Sequence, residues 1–427
     1  MGDRMMTERR DLPRSPNAVL AMLLLVYIFN FLDRQILAIL AAPIQADLGL
    51  SDAQMGLLGG IAFALLYSTL AVPLASVADR TSRSWVITIS LVIWSGFTAA
   101  CALAQGFWHI FLARLGVGVG EAGGVAPSYA LIGDYFPPQK RSLALAIYSM
   151  GIPLGSAGGI LAGGWIAATI DWRLAFVVVG CAGVLIAPAF KLVVRDLPRP
   201  VAAATDVPDA ASIATVARIL ARKPSFWLLS FGAASGSMLG YGILFWKPSL
   251  MIRSFGLDLL QTSWFLGALM LVGGVIGTLT GGLLGDRMGA RDKAWYARLP
   301  AMAYAVATPF FVAAIFMTDN LGLAFALFLI PQAMAYIWLG PVLTAVQHLV
   351  APAQRSTASA LFLLINNLLG LGGGIYVLGQ MSDLLAPAFG TESLRWSMIF
   401  GQLLYLIAAV LMLLASRRLR QDWVEEA

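Results

Sequence analysis

A dozen apolar stretches run through the 427-residue chain, each near the roughly 20 residues that a helix needs to cross a bilayer. They lie near residues 18–42, 53–77, 85–105, 108–133, 142–169, 174–194, 226–250, 260–284, 294–317, 321–350, 357–385 and 394–415. Hydrocarbon offers peptide groups no hydrogen-bond partner, so stretches of this length must satisfy their own backbone as helices. The expected fold is therefore an all-α polytopic membrane protein with twelve transmembrane helices. Composition excludes the soluble alternatives: 12% of residues are charged, against about a quarter in a soluble domain. The two cysteines, Cys101 and Cys181, both sit in apolar stretches, which leaves no disulfide framework and no thiolate metal site. The two histidines, His109 and His348, are far apart and lack ligand spacing, so no metal and no cofactor is expected.

The net charge of +6 would suggest nucleic acid only if the basic residues formed one patch. They alternate with the apolar stretches instead. With the N-terminus assigned to the cytoplasm, the inner segments hold most lysines and arginines, while the outer loops keep only Arg173, Arg253 and Arg395. That asymmetry is the positive-inside rule for an even number of spans with both termini inside. The first stretch is too long for a cleaved signal and carries Asp33 and Arg34. The expected organisation is a cytoplasmic tail at 1–17, six spans in 18–194, a cytoplasmic linker at 195–224, six more in 225–416 and a second tail at 417–427. The linker holds Pro198, Pro200, Pro208 and Pro224 between alanines and basic residues, with room for one short amphipathic helix.

The two halves repeat. Asp79-Arg80 after the second span matches Asp286-Arg287 after the eighth, 207 residues later. Arg141, Ser142, Ala144, Ala146, Leu154, Gly158 and Gly159 recur as Arg355, Ser356, Ala358, Ala360, Leu368, Gly372 and Gly373, at a constant offset of 214. A parallel repeat of six spans predicts a substrate site at the midplane between two pseudo-symmetric lobes.

In these residues the whole chain resembles the major facilitator superfamily of secondary transporters. The signature between its second and third helices is kept in the second half as Gly282, Asp286, Arg287, Gly289 and Arg291. The first copy departs from it at Ala75, Ser82 and Ser84, though Asp79, Arg80 and Arg83 remain. Asn30-Phe31-Leu32-Asp33-Arg34 and the runs 114–121 and 123–141 are similar to the spinster family. The resemblance implies two six-helix lobes working by alternating access, and an amphipathic anionic cargo such as a lysophospholipid or a sphingoid phosphate. Short loops and simple tails suit a bacterial inner-membrane protein, and a monomer is expected.

Charges inside hydrocarbon are costly and usually face a cavity or a partner. Asp33 lies about 22 Å up the first span at about 1.5 Å per residue, with Arg34 one residue beyond and Asn30 on the same stripe. On the descending fourth span Arg114 and Glu121 share one face, and Arg114 matches Asp33 in depth, so an Asp33 to Arg114 contact is expected. Arginine forks suit phosphate and carboxylate. Arg34 and Arg114, with Asn30, Tyr129, Tyr336, Trp338, Asn366 and Asn367, are therefore candidates for substrate, and Asp33 and Glu121 for carrying protons. Packing and structural ion pairing are the competing readings. Asp79, Arg80, Asp134 and Arg141, with Asp286, Arg287 and Arg355 in the repeat, are expected to gate the cytoplasmic side. Lys247, beside Trp246 near the outer end of the seventh span, is expected to snorkel to the surface.

Glycines at 151, 155, 159 and 163 leave one face of the fifth span almost bare, which lets another helix approach, and Pro153 is placed to kink it. The cluster Gly232, Ser235, Gly236, Ser237, Gly240 and Gly242 predicts a bendable or broken seventh span. No phosphate-binding loop is present, so ATP is not the energy source and the proton gradient is expected to be. A proton-coupled multidrug exporter and a gradient-independent facilitator are the alternatives. A membrane enzyme would need a converging catalytic set that two distant histidines do not supply, and a channel would need a polar filter.

Overall fold

The structure, a computed structural model, describes residues 15–197, 213–351 and 354–424; within the helices, the side chains of Asp79, Pro138, Gln139, Ser142, Ala146, Ile213, Asp286 and Ser356 lie outside that description. The N-terminal half comprises Pro16–Ile39, a short helix Ala41–Leu48, the pair Asp52–Gly59 and Ile61–Arg80, then Arg83–Cys101, Phe107–Glu121 with Val125–Tyr135, Pro138–Ser149 with Gly151–Thr169, and Trp172–Val193. After a short helix at Ile213–Ala221, the second half runs Pro224–Phe255, Leu259–Arg291, Trp295–Ile315, Leu321–Met334 with Leu339–Gln347, Arg355–Phe389 and Ser393–Asp422.

Ten stretches among the described residues are long and apolar enough to cross a membrane. One of them, Thr357–Asp422, is 66 residues long and turns at Gly390, whose φ of 56° is a left-handed value that favours glycine. That length suffices for two crossings. The fourth span is split at 122–124 into two helices, each too short alone. These two features account for the difference between ten and the expected twelve.

The seventh span is one unbroken helix of 32 residues, not the broken one expected from its glycines and serines. Those small residues admit neighbours: Gly236 faces the Tyr304 ring, Gly232 faces Met412, and Ser237 donates to Asn366. The interruptions fall elsewhere. The fifth span breaks at Met150, one turn before Pro153, whose missing N–H leaves the helix without its ordinary bond there. The tenth unwinds at 335–338, and the eleventh widens into a π-helical turn at Asn367–Gly373.

Packing repeats with the sequence. Span 1 lies on span 5 as span 7 lies on span 11; spans 3 and 6 pair as 9 and 12 do; spans 2 and 4 pair as 8 and 10 do. Glycines set the closest of these contacts. A Cβ added at Gly159 would lie 2.5 Å from the carbonyl oxygen of Leu32 in span 1, so the bare face of span 5 is filled by the backbone of the helix that carries Asp33 and Arg34.

The lobes meet along spans 2 and 11, 5 and 8, and 1 and 7. Every described hydrogen bond and ion pair between them lies at the end of the bundle away from the termini, here the far end. There Arg253 donates to both oxygens of Asp52 (2.8 and 2.7 Å) and to Gln45 (2.9 Å). Ser382 Oγ donates to Asp52 at 2.6 Å, and the Asp383 carboxylate accepts from the backbone N–H groups of Asp52 (3.1 Å) and Ala53 (2.8 Å). Beside this clamp, Cβ atoms at Gly56 and Gly60 would lie 2.9 and 2.7 Å from the carbonyl oxygens of Ile375 and Gly372.

At the end carrying the termini, each lobe is tied internally. Asp196, after span 6, accepts from Ser82 and Ser84 at the start of span 3. Arg420 donates to Asp292 at 2.9 and 2.5 Å, and these bonds hold the Asp292 carboxyl down at about 2.

Two outcomes are expected. Gly159→Leu forces a side chain into the span 1 backbone and lowers stability by about 1–3 kcal/mol, read as a lower melting temperature in detergent. Folding depresses the Asp292 carboxyl, so its contribution is present above the ordinary carboxylate range and is lost as pH falls towards 2. The melting temperatures of wild type and Asp292→Asn, different at neutral pH, should therefore converge in acid.

Candidate functional site

The first span brings Asn30, Asp33 and Arg34 to the middle of the N-lobe, and the fourth answers with Arg114 and Glu121. Gly118 makes this possible, because a Cβ there would lie 2.7 Å from the carbonyl oxygen of Phe63 in span 2. Neighbouring positions on a helix point about 100 degrees apart, and the two charges of span 1 accordingly find different partners. Arg114 Nη1 lies 3.4 Å from Asp33 Oδ2, so the expected contact is present, though long for a charged pair. Thr98 Oγ1 of span 3 donates to the other Asp33 oxygen at 2.5 Å. Arg34 Nε donates to Glu121 Oε2 at 2.8 Å.

The two pairs differ in access. The side chains of Asp33 and Arg114 are each 2% exposed and that of Glu121 is fully buried, whereas Arg34 keeps 15% of its side chain exposed. Its guanidinium carbon sits 4.7 Å from the ring centroids of Phe63 and Tyr67 and 5.1 Å from that of Phe31, in reach of cation–π attraction. Glu121 ends the upper half of the split fourth span. Its Oε1, the Nε of Arg114 and the Oδ1 of Asn30 are buried without a described hydrogen-bond partner, a costly arrangement that marks groups free to bind or to take a proton.

The remaining candidates are dispersed. Tyr129 is 44% exposed and packs edge-on against Tyr148, which stacks on Tyr27. In the C-lobe Asn366 is buried and accepts from Ser237 Oγ at 2.8 Å, while Asn367, half-buried, opens the π-helical turn. Tyr336 donates to the sulfur of Met270 at 3.2 Å, and Trp338 meets Phe362 edge-on; both sit at the unwound stretch of span 10. Among the gating candidates, Asp134 pairs with Arg83 at 2.5 Å, and Arg141 donates to the carbonyls of Gly133 and Phe136 at the end of the fourth span. Arg80 and Arg287 are exposed and Arg355 is half-buried, while the Asp79 and Asp286 side chains lie outside the described residues.

Lys247 corrects the expectation of snorkelling. It is 5% exposed and donates to Gln332 Oε1 at 2.8 Å, and the neighbouring Trp246 is fully buried with its Nε1 on the carbonyl of Ile375. The helix turns this pair inwards, and hydropathy cannot report that rotation. Sequence reasoning also missed Thr98, Phe63, Tyr67 and the clamp around Asp52. Only the last left a signal, since Ser51-Asp52-Ala53-Gln54 has the form of a capping box, which the structure contains.

Comparison with known proteins agrees with this geometry. Residues 23–374 match the family profile of the Major Facilitator Superfamily. An MFS-type efflux pump of Mycolicibacterium smegmatis is 35% identical over 97% of this chain and 96% of its own. Human protein spinster homolog 1 is 30% identical over 88% of this chain and 75% of its own. Among solved structures, a bacterial homolog of the human lysosomal transporter Spinster, inward-facing and unoccupied, superposes with a TM-score of 0.87 at 32% identity, covering 98% of this chain and 100% of that one. The occupied inward-facing form gives 0.84. Two six-helix lobes with repeated packing, a charged stripe in the N-lobe and these relatives lead to one conclusion: the chain belongs to the major facilitator superfamily, as a spinster-like transporter and not an enzyme.

Proposed function

We propose that this protein is a proton-coupled secondary transporter that moves an amphipathic organic anion, such as a lysophospholipid or sphingoid phosphate, by alternating access. The observation that carries the reading is the crossed pairing of Asp33 with Arg114 and of Arg34 with Glu121. Glu121 holds the only partly exposed guanidinium of the set, and one of its own oxygens is unpartnered. Protonation removes the carboxylate's hold, and the Arg34 fork then takes the acidic head group, with Phe31, Phe63 and Tyr67 beside the apolar part. Deprotonation restores the pair and expels the anion. The Asp33 pair, sealed and braced by Thr98, fixes the height of Arg114 and offers a second site for a proton.

With both termini in the cytoplasm of a bacterial inner membrane, the far-end clamp closes the outer face and the site belongs to the inward-facing state. Residues 18–194 and 225–416 form the two moving lobes of a monomer, joined by a cytoplasmic linker at 195–224 between tails at 1–17 and 417–427. No cofactor takes part. Asp79, Arg80, Asp134 and Arg141, with Asp286, Arg287 and Arg355, would meet when the inner face closes. Asn366, Asn367, Tyr336 and Trp338 would meet the cargo from the second lobe, and Asn30 and Tyr129 from the first.

A second reading is supported by the efflux pump that shares 35% identity over nearly the full length: a proton-coupled exporter whose cationic cargo pairs with Asp33 and Glu121. The two readings exchange the roles of carboxylate and guanidinium, which makes them separable.

In proteoliposomes under an imposed proton gradient, wild type should accumulate labelled lysophosphatidic acid above protein-free vesicles. Glu121→Gln should abolish the gradient dependence while leaving exchange of cargo across the membrane. Arg34→Ala, deprived of charged hydrogen bonds of about 1.5–3 kcal/mol, should raise the KM at least tenfold. Gradient-driven movement of a cationic dye with no movement of the acidic lipid would instead select the exporter. Thr98→Val should lower the melting temperature, because it strands a buried Asp33 oxygen at a cost of about 1–3 kcal/mol.

A further inference from the structure

The four charges of the N-lobe are paired, but a fifth ionisable side chain within the bundle, Lys247, has no counter-ion among the described residues. Among the described residues the Lys247 ammonium has one hydrogen-bond acceptor, Gln332 Oε1, and no carboxylate within ion-pair range. An ammonium carries three donors, so two would lack a protein acceptor here, and an uncompensated charge in a protein interior costs several kcal/mol. The Phe328 ring, 5.6 Å from Nζ, is its nearest compensation. The Gln332 amide is turned the other way, donating to the sulfur of Met270 at 3.5 Å, so its carbonyl oxygen is aimed at the lysine.

Lys247 and Gln332 border a small cavity with room for about one water. Leu244, Leu266, Leu269 and Met270 of the C-lobe form most of its wall, and Ile160 of span 5 closes it from the other lobe. Spans 5 and 8 touch where Gly164 faces Ser263 and Gly267 faces Leu161. Lys247 lies six residues, about 9 Å along the helix, below the clamp residue Arg253. Parting the lobes at the far end removes the Ile160 wall and uncovers the ammonium.

We propose that Lys247, with Gln332, is an anion-binding site of the C-lobe, closed in this state and opened at the far face, that takes the phosphate or carboxylate of an amphipathic anion. A lysine is suited to that task as a compact point charge on a flexible stem. The proposal rests on the anionic-cargo reading above and deepens it by naming the residues that meet the acidic group on the second lobe. An anion seated on Lys247 also supplies the counter-ion that closure of the outer face otherwise lacks.

The test is the rate of acetylation of the Lys247 amine in the purified full-length protein, read by peptide mass spectrometry after limiting acetic anhydride. Wild type should react slowly, and Arg253→Ala, which breaks the clamp, should raise the rate at least fivefold; Asp52→Asn provides the same opening should the first variant fold poorly. In the opened protein, dodecyl phosphate should slow the reaction at least threefold, whereas neutral dodecyl maltoside should not. Protection by inorganic phosphate alone makes a free anion the ligand, and protection by dodecyl phosphate only makes it an amphiphile's head group. In the same opened background, Lys247→Met should lose the thermal shift produced by the protecting anion and Lys247→Arg should keep it. An amine equally reactive in wild type and clamp variants, or one that neither phosphate protects, overturns the proposal. Protection that persists while gradient-driven lysophosphatidic acid uptake is absent refutes the cargo and leaves the site standing.

Discussion

Burying a carboxylate and a guanidinium in hydrocarbon is tolerable only when each finds the other, and the N-lobe is arranged around two such encounters. Asp33 with Arg114 and Arg34 with Glu121 tie span 1 to span 4. Those helices can lie close enough only because Gly118 admits span 2 and because Gly155 and Gly159 of span 5 receive the backbone of span 1. The glycine contacts and the ion pairs are thus one construction: remove the close approach and the charges fall out of range, and remove the charges and the close packing encloses unpaired polar atoms.

Flexibility is placed by the same logic. The fourth span is interrupted just after its charge, at Glu121, whereas span 1 runs unbroken through Asp33 and Arg34 and the small residues of the seventh span serve packing and leave it unbroken. In the C-lobe the interruptions gather at 335–338 and 367–373, beside Tyr336, Trp338 and Asn367. A backbone that leaves regular helix inside a membrane must be shielded by protein or face a cavity. The positions of these breaks therefore mark the inner surface of the lobes without reference to any side chain.

Much of this was legible in the sequence, and the remainder failed for one recurring reason. Periodicity and charge position give the depth of a residue along a span, and depth was enough to match Asp33 with Arg114. Rotation about the helix axis is set by neighbours hundreds of residues away, and it decided what was misread. Sequence position puts Lys247 near the outer end of its span, but only the packing shows that it faces inwards. The small residues at 232–242 read as a hinge in the sequence, but Tyr304, Met412 and Asn366 fill the space they leave. Thr98 carries no local signal at all, since a lone threonine in an apolar helix reads the same whether it bonds its own backbone or a buried carboxylate; here it does both. The clamp between Asp52 and Arg253 joins residues 201 apart, and the capping-box form of 51–54 marks where one helix begins without naming its partner in the other lobe.

That clamp is built almost entirely from groups that water can serve as well. Asp383 accepts from the first two N–H groups of the helix beginning at Asp52, so the other lobe completes a cap that Ser51 and Gln54 begin within the helix's own lobe. When the lobes separate, solvent can take over each of these charge-assisted bonds, and the net loss per bond is about 1.5–3 kcal/mol instead of the larger cost of leaving a charged group unpaired in the protein interior. An apolar seal of the same size would lock one state. A polar one, whose bonds solvent can replace, lowers the cost of parting the lobes and leaves the outer end able to open.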